Sequence, residues 1–131
     1  MIRELKYFQG VFLVLFFALL PVDAPGQRTK EVQSISLKAP EEIEYASAVY
    51  EAIDAMAKRV KGCINEKQML PNECLCLHRQ SLETVKNAYI SAVKKFPAWK
   101  DKLVSYKRAN DPVGYNVVFD GLDKQLQVAC Q

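Results

Sequence analysis

Cys63-Ile-Asn-Glu-Lys-Gln-Met-Leu-Pro-Asn-Glu-Cys74-Leu-Cys76-Leu-His78 decides how the rest of the chain is read. It carries three of the four cysteines and the only histidine, and it joins two long apolar patterns of helical period. Cys130, the fourth cysteine, is the second-last residue. Four thiols form two disulfides in an oxidising compartment and stay reduced in the cytoplasm. Where the chain resides therefore comes first.

The N-terminus reads as an export signal. Arg3 and Lys6 supply a positive start, Val11 to Leu20 is an unbroken apolar run, and Pro21 ends any helix that run would form. Small residues flank two cleavage points. Val22-Asp23-Ala24 would leave Pro25 just after the cut, where proline is poorly accepted. Ala24-Pro25-Gly26 avoids this and makes Gln27 the mature start. A membrane span needs roughly 20 apolar residues, and this run has ten. The expected organisation is a signal over residues 1–26, a polar tether over 27–39 and one helical domain over 40–131. The protein is then secreted or periplasmic.

Export makes disulfides the natural state of Cys63, Cys74, Cys76 and Cys130. A Cys74–Cys76 bridge would close a strained ring, so Cys63 pairs with one of Cys74 or Cys76, and Cys130 with the other. In the chain-entropy view the short loop contributes about 3 kcal/mol and the long one about 4 kcal/mol. Against a net stability of about 5–15 kcal/mol for a domain this small, both matter.

Upstream of this stretch, a helix is expected from Pro40 to Gly62. Glu41, Glu42 and Glu44 suit the positive end of its dipole. Ile43, Ala46, Tyr50, Ile53, Ala57 and Val60 follow steps of three and four, which line one helix face. Gly62 reads as its stop. Downstream, Asn72 is a cap candidate. Leu75, His78, Leu82, Val85, Tyr89, Ala92 and Phe96 form the next stripe, with His78 on its inward side. Pro97 comes next with no loop-forming cluster around it, which points to a kink rather than a reversal. Beyond it, Trp99, Leu103 and Tyr106 share one side of a short helix. Tyr115, Val118, Leu122, Leu126 and Ala129 line a last helix, weakened by Gly114, Gly121 and Val117-Val118-Phe119. A strand near 115–119 is the alternative there. A kinked middle helix also returns Cys130 to the other cysteines. The expected fold is all-α, a small three-to-four-helix bundle with a kinked middle helix, stapled by two disulfides.

The 131 residues carry a net charge of +3, too little to imply a nucleic-acid partner. The charge is uneven. Six basic residues and one acid lie between Lys94 and Arg108, whereas the rest of the chain after Gly26 has ten basic and twelve acidic residues. In this segment Lys94, Lys95, Lys100, Lys102, Lys107 and Arg108 interleave with Phe96, Trp99 and Tyr106. Basic residues among aromatics suit an anionic protein surface or a membrane interface, and tryptophan, tyrosine and arginine are common interface anchors. The competing account has the aromatics closing one end of the bundle and the lysines merely solvated. Ala48, Ala52 and Ala55 on the first helix are a weaker candidate surface, open to the close approach of another helix.

Catalytic signatures do not emerge. There is no Cys-x-x-Cys for disulfide exchange and no Gly-x-Ser-x-Gly near His78. Cys74, Cys76 and His78, with Cys63, are the one metal-ligand candidate. Their Cys-x-Cys-x-His spacing matches neither the usual zinc pairs nor a haem attachment signal. The expectation is a non-enzymatic binding module without a cofactor: an inhibitor, an immunity-type or an accessory protein. It would meet an acidic protein partner through Lys94, Lys95, Trp99, Lys100, Lys102, Tyr106, Lys107 and Arg108. The alternative is a carrier of a metal ion, or of a small apolar ligand in the bundle core.

Overall fold

A computed structural model describes residues 31–131. The expected export signal, residues 1–26, lies outside them. Among the described residues four α-helices accompany a three-stranded mixed sheet, so the fold is α+β and the all-α expectation is corrected. In chain order the elements are β1 (Gln33–Ser36), α1 (Pro40–Lys67), α2 (Pro71–Leu77), α3 (Arg79–Lys95), a 3-10 turn (Pro97–Asp101), β2 (Lys102–Lys107), β3 (Gly114–Val118) and α4 (Leu122–Val128).

Helix α1 begins with Pro40, whose missing N–H costs nothing at the first helical position, and with Glu41 and Glu42 at its positive end. At 28 residues it is about 42 Å long. It runs through Gly62 and stops at Gln68, whose φ of 56° is left-handed and whose N–H donates to the Ile64 carbonyl. Its buried residues are Ala46, Val49, Met56, Val60 and Cys63. The three-four spacing holds, but the inward face is turned by one residue: Val49 and Met56 are buried where Tyr50 and Ala57 were expected.

The expected middle helix breaks at its start rather than bending at its end. His78 separates α2 from α3 with φ −105° and ψ 43°, outside the helical region. Its N–H still donates to the Cys74 carbonyl, and its own carbonyl accepts from Ser81 and Leu82. His78 is half-buried at this corner. Beyond it Leu82, Val85, Tyr89 and Ala92 are buried along α3. The helix ends at Phe96, because Pro97 cannot continue it. The kink at Pro97 is thus replaced by a stop.

After that stop, the short helix expected from Trp99, Leu103 and Tyr106 does not form. Trp99 sits in the 3-10 turn, and β2 begins at once. Val104 and Tyr106 are buried at alternate positions, the two-residue period of a half-buried strand. In place of the long last helix, the chain forms β3 and then α4. Val117 and Phe119 are buried two residues apart, and Gly121, at φ 77°, makes the left-handed step into α4. The strand alternative near 115–119 is what occurs. β1, inside the segment read as a tether, pairs in parallel with β2, and Leu37 just after it is buried. β2 pairs antiparallel with β3, giving the order β1-β2-β3.

Helix α1 packs against α3 on one side and against β2 and β3 on another. The core lies between them, with Val49, Val60, Leu82, Val85, Val104 and Phe119 among its fully buried side chains. Cys63 bonds to Cys74 and Cys76 to Cys130, one of the two pairings the sequence left open. Both bridges end on α2, so this seven-residue helix is held at one end of α1 and against the C-terminal segment. Asn72 adds to the second attachment: its Oδ1 accepts the Cys130 N–H at 2.7 Å, and its Nδ2 donates to the Gln131 carbonyl.

Candidate protein-binding surface

The basic segment is divided by the fold into two ends of one strand. Lys94 and Lys95 occupy the last turn of α3, and Lys100 lies in the 3-10 turn beyond it. Lys102 opens β2 and Lys107 closes it. Six strand residues carry the chain roughly 17–20 Å, so Lys107 and Arg108 stand well away from the Lys94–Lys100 end.

The aromatics lie beneath the cations. Trp99 is 2 % exposed, stacked on Phe96 at 4.5 Å between ring centres and meeting Phe119 edge-on at 5.5 Å. Phe96 in turn meets Tyr45 of α1 edge-on. This aromatic layer pins the 3-10 turn to both helices. Tyr106 is 3 % exposed and stacks on Tyr115, which also meets Tyr50 of α1. Burial pushes the Tyr106 phenol up, and the neighbouring Arg108 guanidinium only partly offsets it. The Tyr106 hydroxyl lies near that guanidinium without a hydrogen bond of good geometry.

Several cations are already matched. Lys95 pairs with Glu41 at 3.1 Å, which raises its pKa through the hydrogen bond and the charge of that carboxylate. Lys102 meets Asp101 at 2.7 Å. Arg108 pairs with Glu51 of α1 at 2.6 Å and sits 4.8 Å above the Tyr115 ring. Tyr115 donates its hydroxyl to Asp111 Oδ2, while Asp111 Oδ1 accepts the Val113 N–H. Those two donors, the backbone one first, hold the Asp111 carboxyl below its usual range. Lys94, Lys100 and Lys107 are exposed and have no ion pair among the described residues.

The other candidates separate. Cys74 and Cys76 are bonded to Cys63 and Cys130, so neither offers a thiolate beside His78. Ala48 lines a shallow, open groove of about 500 Å³ between α1 and α3, together with Glu44, Tyr45, Asn87, Ala88 and Ser91. That groove is wide open to solvent, unlike the enclosed clefts that bury most of a small ligand's surface.

Sequence reasoning did not connect Glu51, Tyr115 and Asp111 with Arg108, which pairs with Glu51 and lies over the Tyr115 ring. The available signal was the alternation Val104, Tyr106 and then Tyr115, Val117, Phe119, which places Tyr106 beside Tyr115 in a hairpin. Comparison of the chain with protein-family models, with curated proteins and with solved structures finds no match.

Proposed function

We propose that this is an exported, non-enzymatic binding module that meets an acidic protein partner through its basic segment. The observation that carries the reading is the set of three exposed lysines without an ion pair among the described residues, Lys94, Lys100 and Lys107, on a backbone anchored by buried aromatics. Trp99 and Tyr106 act from below, holding the cations on a rigid support, while Lys95, Lys102 and Arg108 are paired with Glu41, Asp101 and Glu51. Electrostatic complementarity of this kind favours fast association and partner choice. Two disulfides suit an oxidising compartment, and no helix among the described residues is long and apolar enough to cross a membrane. The signal read over residues 1–26 supports secretion or transfer to a periplasm.

A poly-glutamate peptide is a defined probe of this surface. The wild type is expected to bind it with an affinity that falls as salt rises. Replacing Lys94, Lys100 and Lys107 together with Glu should abolish that binding at an unchanged melting temperature, since none of the three makes an ion pair among the described residues. Binding that survives the triple reversal overturns the proposal.

A further inference from the structure

The sheet ends on one side at β3, and the hydrogen-bond phase of that strand shows which of its groups are unused. The Phe119 N–H donates to the Lys102 carbonyl, and the register pairs Val104 with Val117 and Tyr106 with Tyr115. In an antiparallel pair such hydrogen-bonded positions alternate with positions whose backbone groups point away. Gly114, Asn116 and Val118 therefore turn their N–H and C=O groups to the outer edge. All three residues are exposed. Edge strands are usually protected by charge, proline or a bulge, but Gly-Tyr-Asn-Val-Val has no charge and no proline. Val113 and Val118, 54 % and 39 % exposed, flank its two ends.

We infer that this edge pairs with the same edge of a second copy, joining two sheets into one of six strands about a two-fold axis at Asn116. That register sets Asn116 against the second copy's Asn116, and each Gly114 against the other copy's Val118. It uses the outward groups of all three residues in both strands. Three features select a second copy as the occupant. The strand is neutral, so pairing with itself brings no like charges together. Glycine opposite valine leaves room for the exposed Val118 side chain. Asn116 is complementary to itself: its Oδ1 accepts the Ser105 hydroxyl at 2.6 Å, and its Nδ2 has no partner among the described residues. Across the axis, each Nδ2 meets the other copy's Oδ1. The register Ser36–Ser105–Asn116 then continues through the axis as one polar row on the open face of the sheet. Gly114 pairs with Lys107, so this edge adjoins one end of the basic segment, but the test of self-association does not depend on that segment's acidic partner.

The test is sedimentation equilibrium of the oxidised protein across the micromolar range, with Asn116→Lys, Asn116→Glu and an equimolar mixture of the two. Circular dichroism confirms that these exposed-edge variants fold. The wild type is expected to dimerise. Each single variant should weaken self-association by up to about fivefold, since like charges then face each other across the axis. The mixture should recover a dimer. A wild type that stays monomeric overturns the proposal, including one whose edge instead accepts an extended peptide from another protein. So does a dimer that both variants leave intact, or a mixture that associates no better than either variant alone.

Discussion

Asp111 shows how one side chain closes the β2–β3 connection. Its two carboxylate oxygens take the Val113 N–H and the Tyr115 hydroxyl, so the loop and the strand after it share an acceptor. Both donors favour the ionised form, and the folded pKa lies below the ordinary carboxylate value. A carboxyl depressed in this way contributes stability that is fully present above its unfolded pKa and is lost as pH falls through the folded one. The stability difference between wild type and Asp111→Asn is therefore expected to be widest near neutral pH and to shrink on acidification, as read by urea unfolding at a series of pH values. A gap that grows toward acid would reverse the assignment. Arg108 stands at the same corner, yet its pairing with Glu51 and its place above Tyr115 were invisible before Tyr115 was known to be a strand residue.

At the scale of elements, two glycines test the helical reading from opposite sides. Gly62 lies inside α1, with open space where a Cβ would be. Gly62→Ala should stabilise the protein by about 0.5–1 kcal/mol, because glycine loses more backbone freedom on folding. Gly121 also has open space around its Cβ direction, but its φ of 77° is left-handed. Gly121→Ala should destabilise by about 1–2 kcal/mol from the backbone alone. Thermal or urea unfolding of both variants gives the signs, and like signs would contradict the boundaries of α1 and α4. The same contrast explains what was legible. α1 and α3 were readable because their apolar stripes persist over many turns, as in Leu82, Val85, Tyr89 and Ala92. The sheet was not, because Trp99, Leu103 and Tyr106 repeat at four and three residues while Val104 and Tyr106 repeat at two. Over so short a segment both periods fit. Pro97 ended the helix and left the two-residue period to govern Lys102–Lys107. The four residues of β1 form a strand because β2 is present to pair with them, a partner that no local pattern reveals.

For the whole molecule, the two bridges are expected to contribute unequally. Cys63–Cys74 closes 11 residues and Cys76–Cys130 closes 54. Loop-closure entropy assigns them about 3 and about 4 kcal/mol. Denaturant unfolding of the two paired Cys→Ala variants should therefore show the larger loss for the Cys76/Cys130 pair, and the opposite order would mean that native contacts outweigh the chain-entropy effect. The basic segment itself was legible as composition but not as geometry. Its cluster of cations is plain in the sequence, whereas the burial of Trp99 and Tyr106 and the split between the two ends of β2 depend on strand formation.

Both cross-links meet on α2, with only Leu75 between Cys74 and Cys76. Because the chain is made from its N-terminus, Cys63 has both of these sulfurs at hand well before Cys130, 54 residues beyond Cys76, is in place. The early choice is thus between the native Cys63–Cys74 ring and a mispaired Cys63–Cys76 ring that leaves Cys74 reactive. Until Cys130 arrives, even a correctly started chain carries one thiol, Cys76, without its native partner.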